Sequence, residues 1–222
     1  MVDFDKGRTL GLAGSILVLV AIIFWSITDL LGSLLQLVGL ILILISLHTF
    51  SNIYGERIIF RDALLSVLIG YGFSLVASII FLILFGFTIL LPFARPAPPG
   101  RIEDFFGAQI VGELVVLVLI IVLVLLIAYV VSAYLWYRAL NMLYLRSGEK
   151  LFRWAGLSYL AFVVSLIVGL VTAVILVGLL VILVGILLGL ASWVLLAIAF
   201  YNVKPPQPTI EAEAAPTPAV QV

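Results

Sequence analysis

Gly55-Glu56-Arg57-Ile58-Ile59-Phe60-Arg61-Asp62-Ala63 decides how this chain is read, because a shorter version returns as Gly148-Glu149-Lys150-Leu151-Phe152-Arg153-Trp154-Ala155. Each copy stands between two long apolar segments. A glycine at this place ends the incoming helix in a left-handed cap. The glutamate after it suits the start of the next helix, where the dipole favours an acid. The phenylalanine then lies at a membrane interface and the arginine reaches toward lipid phosphate. That structural account uses every residue of the motif. A functional account makes the copies a quasi-symmetric basic patch of Arg57, Arg61, Arg138, Arg146, Lys150 and Arg153 that docks anionic lipid head groups or a protein partner. The residues alone are compatible with both.

The apolar segments dominate the composition. The 222 residues are 65% hydrophobic and 10% charged, with a mean hydropathy of +1.40. A water-soluble domain has about a quarter of its residues charged, so lipid must be the solvent for most of this chain. There is no cysteine, which excludes disulfides, Fe–S clusters and cysteine zinc sites. A single histidine, His48, falls short of a histidine metal site or haem ligation, so no metal and no cofactor is expected. The formal net charge is zero, and no nucleic acid is expected. Membrane lipids are the expected partners, with a membrane-protein partner or a second copy of the chain beside them.

Residues 1–8 form a polar N-terminus with Lys6 and Arg8. Six spans follow, at about 9–28, 30–47, 63–91, 109–136, 154–174 and 179–201, within a membrane domain over 9–202. A span of ~20 residues crosses a ~30 Å hydrocarbon core. The third is longer, and Gly70-Tyr71-Gly72 is where it is expected to bend. The segment 92–108 (PFARPAPPGRIEDFFGA) carries four prolines and reads as an extended loop outside the lipid. Residues 154–201 contain no charge. As one helix they would be ~70 Å long, so they must cross twice, with the turn expected near 172–178. The connections His48 to Asp62 and Tyr137 to Arg153 are polar, and 203–222 reads as a disordered tail.

Charge sets the orientation. With six crossings, Lys6, Arg8, Arg57, Arg61, Arg138, Arg146, Lys150, Arg153 and Lys204 fall on one side, nine of the eleven basic residues. Arg95 and Arg101 fall on the other. The positive-inside rule then puts both termini and both motif loops in the cytoplasm of a multi-pass cell-membrane protein. Trp25, Tyr54, Trp136, Tyr137, Trp154 and Tyr201 lie near span ends and fit interfacial belts.

Polar residues at membrane depth are the usual markers of transport. Gln36, Gln109 and Glu113 are the candidates, Glu113 close to the external end of its span. Small residues four apart, Gly7 and Gly11, Gly11 and Ser15, Ser165 and Gly169, Gly185 and Gly189, permit close helix approach. The chain has no nucleotide-binding loop, no paired catalytic carboxylates and no HExxH or GxSxG motif, so no enzyme activity is expected.

Tyr137-Arg138-Ala139-Leu140-Asn141-Met142-Leu143, then Ser147 to Leu157, then the stretch ending Leu196 to Tyr201, resembles a family of archaeal membrane proteins, domain-of-unknown-function family 996. Tyr54-Gly55-Glu56-Arg57 and Ile59 to Leu64 are similar to the same pattern. The resemblance runs from about residue 8 to 203, leaving out the proline-rich loop and the acidic tail. It implies a multi-pass membrane protein and no catalytic residues.

The expected fold is all-α, an integral membrane six-helix bundle containing two similar parallel-oriented helical hairpins. The expected function is structural or accessory, acting through helix packing and the basic loops. The alternative is a channel or transporter for a small neutral solute, lined by Gln36, Gln109 and Glu113.

Overall fold

In the computed structural model, which describes residues 2–25, 28–94, 108–172 and 176–205, the chain is all-helical. The helices are α1 (Val2–Trp25), α2 (Asp29–Tyr54), α3 (Arg57–Ala94), α4 (Ala108–Ser147), α5 (Lys150–Val171) and α6 (Leu176–Asn202). Six helices are long and apolar enough to cross a membrane. The 203–222 tail lies almost wholly outside the described residues, and so does most of 92–108.

The helices outrun the apolar spans. His48 to Asp62 and Tyr137 to Arg153, expected as polar connections, are helical except at Gly55-Glu56 and Gly148-Glu149. Each extension buries a stripe: Phe50 on α2, Ile59 on α3, Leu140 and Leu143 on α4, Phe152 on α5. That stripe keeps the backbone helical beyond the lipid-facing residues, since tertiary packing stabilises a helix more than propensity does. α3 stays helical through Gly70-Tyr71-Gly72. The turn between α5 and α6 begins at Thr172, inside the expected window.

The two glycines end their helices as expected. Gly55 has φ 67° and Gly148 φ 74°, the only positive-φ residues among those described. At Gly55 two bonds close the helix, from its own N–H to the Asn52 carbonyl and from Glu56 N–H to the Ser51 carbonyl. At Gly148 a single bond runs to the Tyr144 carbonyl at 2.8 Å. These are the two alternative ways a left-handed residue satisfies the last carbonyls of a helix.

Successive helices pack on one another and α6 packs back on α1, so the six close into a ring. The tightest neighbours are α1 with α2 and α5 with α6, whose backbones meet at glycines. A Cβ on Gly14 would sit 2.6 Å from the Gly39 carbonyl oxygen, and one on Gly39 would sit 2.8 Å from the Gly14 oxygen. A Cβ on Gly169 would meet Ile182 at 2.5 Å, and one on Gly185 would meet Ser165 at 3.0 Å. Gly11 gives its space to Phe200, which closes the ring between α6 and α1. In lipid the hydrophobic effect does not drive helices together; close packing and buried hydrogen bonds do.

A buried serine on the second helix of each pair adds a bond to a carbonyl on the first. Ser46 donates to Gly7 (2.7 Å), Ser132 to Ser66 (2.9 Å) and Ser192 to Ala155 (2.8 Å). At the end of the ring that carries both glycine junctions, side chains from all six helices fill the centre. Phe4, Phe50, Ile59, Leu143, Phe152 and Phe200 form one cluster there. Phe200 stacks on Phe50 (6.0 Å) and meets Phe152 edge-on (5.2 Å). Trp136, expected in an interfacial belt, is only 3% exposed. It packs on Tyr159 and Trp193 instead. Trp154 and Tyr201 do stay exposed.

Candidate functional site

The six basic residues of the expected patch converge on the junction end of α3, α4 and α5, and all six are exposed. Their electrostatic settings differ. Arg146, in the last turn of α4, is paired with Glu56 at the first junction. Arg138 places its Nε 3.2 Å from Asp62 Oδ2, and Arg61 donates from Nε to Asp62 Oδ1 at 3.2 Å. Arg153 lies over the Tyr144 ring, 6.0 Å from its centroid. Arg57 and Lys150 have no acidic partner among the described residues. On the α1–α6 side, Arg8 lies over Tyr201.

Asp62 is the unusual member of this rim. It is 1% exposed while Arg138 and Arg61 are 45% and 61% exposed. The Asp62–Arg138 contact is close by distance but does not have hydrogen-bond geometry, since Oδ2 makes no hydrogen bond. It is therefore an ionic contact, stabilised by proximity alone. A carboxylate this buried requires compensation, and both guanidiniums supply it from the surface side.

The placement of Asp62 follows from helix register. Counted from each glycine, Ile59 and Phe152 stand fourth, Asp62 and Ala155 seventh, Ala63 and Gly156 eighth, and all six are buried. Ile59 N–H bonds to the Glu56 carbonyl at 3.2 Å and Phe152 N–H to the Glu149 carbonyl at 3.3 Å. The junctions thus correspond without a gap. Matching the copies through Phe60 and Phe152 inserts one residue and turns the helix by about 100°. The second junction has its own cap: the Glu149 side chain accepts from Leu151 N–H at 3.3 Å, where an acid also meets the helix dipole.

Among the intramembrane candidates, Gln36 on α2 lies near Tyr71 on α3. The side chains of Gln109 and Glu113 lie outside the described residues. The residues that do gather at this depth are ones the sequence reading passed over: Tyr71 and Ser74 on α3, Tyr129 on α4 and Tyr159 on α5. Ser74 and Tyr129 are 3.0 Å apart through their hydroxyls. Tyr71 lies near both Tyr129 and Tyr159. The available signal was a tyrosine set deep in an otherwise apolar span. Among the described residues no three His, Asp or Glu side chains come together in a way that could hold a metal ion. His48 is exposed and meets Phe60 edge-on at 4.8 Å.

The family model described as protein of unknown function (DUF996) matches residues 35–187. The chain belongs to this family. The matched span is shorter at both ends than the resemblance drawn from the motifs, and it runs through the proline-rich segment. It takes in both glycine junctions, Asp62 and the Gln36–Tyr71–Tyr129–Tyr159 group. No curated protein and no solved structure matches the chain.

Proposed function

We propose that this is a non-enzymatic structural or accessory protein of the cell membrane, with both termini cytoplasmic, whose basic rim engages anionic lipid head groups. One observation carries the proposal. Among the described residues, nine basic ones share the rim with five acidic ones, Asp3, Asp5, Glu56, Asp62 and Glu149. Three of those acids are engaged internally, Glu56 with Arg146, Asp62 with Arg61 and Arg138, and Glu149 as a cap. The field reaching solvent is therefore positive, and Arg57 and Lys150 are free to meet phosphate. Each such residue near an anionic surface contributes about 1 kcal/mol. The positive-inside rule orients the rim toward the cytoplasmic leaflet, the anionic one.

The alternative, a channel or transporter for a small neutral solute, requires a path through the ring. Phe50, Ile59, Leu143, Phe152 and Phe200 are all fully buried across the rim end, and that packing weighs against an open pore.

Lipid retention tests the proposal. The protein extracted in mild detergent is expected to keep anionic lipid in native mass spectra. Replacing Arg57, Arg61, Lys150 and Arg153 together by Gln should remove most of it, and raised salt should do the same to the wild type. Equal retention by the variant and the wild type would overturn the reading.

A further inference from the structure

We infer that Gln36, Tyr71, Ser74 and Tyr129 form an intramembrane binding site for an uncharged, hydrogen-bonding head group on an apolar molecule dissolved in the bilayer.

The depth comes first. Gln36 lies eighteen residues before the end of α2, Tyr71 fourteen after the start of α3, and Tyr129 eighteen before the end of α4. At ~1.5 Å per residue they stand roughly 20 to 27 Å from the rim, well inside the apolar stretches. A polar group there must find partners within the protein or on something that enters it.

The serines at comparable depth are closed. Ser66 and Ser132 each donate to the other's carbonyl, at 2.7 and 2.9 Å, and both are buried. Ser15 donates to the Gly11 carbonyl at 2.8 Å. Their donors are used and, being buried, their oxygens face no open space. The tyrosine group is different. Ser74 donates to the Gly70 carbonyl at 2.7 Å, so in the Ser74–Tyr129 contact Tyr129 is the donor and its oxygen lone pairs stay available. Gln36 lies near Tyr71 and has two N–H donors and a carbonyl. Tyr71 is 38% and Tyr129 42% exposed. Capacity and exposure therefore coincide at these residues and not at the serines.

The direction is inward. Tyr71 lies near Gln36 on α2, Tyr129 on α4 and Tyr159 on α5. α4 stands between α3 and α5 in the ring, so a side chain near both α2 and α5 looks across the interior. Tyr159 forms the floor, packed on Trp136 and Trp193 at 6.4 and 6.1 Å. Beyond that floor the fully buried phenylalanines close the rim end. A water-soluble ligand has no described route from that side, whereas Phe73, Leu75 and Val76 present apolar surface beside the site. No described residue at this level is charged, so a charged ligand would find no counter-charge.

The experiment uses a long-chain primary alcohol carrying a chain-borne diazirine, and the trimethylammonium compound of equal length. Full-length protein in lipid nanodiscs is irradiated with each, digested and mapped. The alcohol should label the peptides around Tyr71 and Tyr129, and excess unlabelled alcohol should compete. The Tyr71→Phe/Tyr129→Phe and Gln36→Leu variants should each lose labelling by about tenfold, as expected for one or two hydrogen bonds. Ser66→Ala should label as wild type, and its elution profile with those of the other variants checks the fold. Even labelling along the lipid-facing helices, or labelling unmoved by the tyrosine and glutamine changes, would show that these side chains only tie helices together and would overturn the site. Equal labelling by the ammonium compound would overturn its uncharged character. The lipid-retention result at the rim is read from a different head group and a different end of the molecule, so the two proposals fail independently.

Discussion

The α1–α2 and α5–α6 pairs are built from glycine, and the α3–α4 pair is built from polar side chains. In the first two, backbones meet so closely that an added Cβ would strike a carbonyl oxygen or a side chain at 2.5 to 3.0 Å. Between α3 and α4, Gly70 faces Ser132 Oγ at 3.1 Å and Gly72 faces nothing within 4 Å. The pair is joined instead by Ser66 with Ser132, Ser74 with Tyr129, and Asp62 with Arg138. Backbones in contact leave no volume and no spare hydrogen-bonding capacity. Helices held by side chains leave both. Side-chain ties of this kind are accordingly concentrated between α3 and α4, while the other two pairs rest on backbone approach.

The sharpest way to break that contrast is Gly14→Val. The branched side chain would have to displace the Gly39 backbone oxygen, 2.6 Å from the new Cβ. Overpacking of this kind costs about 3 kcal/mol or more. The variant should aggregate or lose most of its thermal stability in detergent. Gly72→Val meets open space and should melt close to wild type. If the two valines behave alike, glycine packing is not what holds α1 to α2.

The second change tests the polar pair. Arg138→Ala leaves a buried Asp62 with Arg61 as its single compensating charge. Removing one partner of a buried pair leaves an uncompensated charge, and with Arg138 half-exposed the cost should be about 2 kcal/mol. Adding Asp62→Asn should recover part of the lost melting temperature, because the charge that needed compensation is gone. No recovery in the double variant would mean that Arg138 stabilises by packing its stem rather than by its charge.

How much of this was readable beforehand depended on whether the cause was local. The caps at Gly55 and Gly148 are local: a left-handed residue between two apolar segments is a property of a few neighbouring residues. The clustering of basic residues at one end follows from crossing parity, which apolar length settles. Gly7, Gly11, Ser165, Gly169, Gly185 and Gly189 were visible as pairs, but their partners Thr49, Phe200, Ile182 and Phe162 were not. The tightest approach to backbone, Gly14 against Gly39, joins residues with no four-residue small partner to mark them. Matched by phenylalanine, the copies set Asp62 opposite the exposed Trp154; only helical register sets it opposite Ala155, on the buried face. Tyr71 was hidden by its glycine neighbours, which read as a bend. Its meeting with Gln36, Tyr129 and Tyr159 depends on the order of helices around the ring, and apolar periodicity carries no record of that order.

The smallest effect probes the closed serines. Ser132→Ala removes the donor to the Ser66 carbonyl and the partner of the Ser66 hydroxyl, while Ser66 keeps its own bond to the Ser132 carbonyl. Interhelical bonds in lipid are worth ~0.6 kcal/mol on average, because the separated helices also find partners. The melting temperature should therefore fall by only a degree or two, less than for Arg138→Ala. Gly70 sharpens the point, since its Cβ position lies 3.1 Å from Ser132 Oγ. Removing that oxygen makes room for a methyl group, so Gly70→Ala should be better tolerated in the Ser132→Ala background than in wild type. If the two changes are instead additive, α3 and α4 are free to adjust their spacing. The pair would then be a compliant element, and the open geometry around Tyr71 and Tyr129 would follow from that compliance rather than from the absence of glycine contacts.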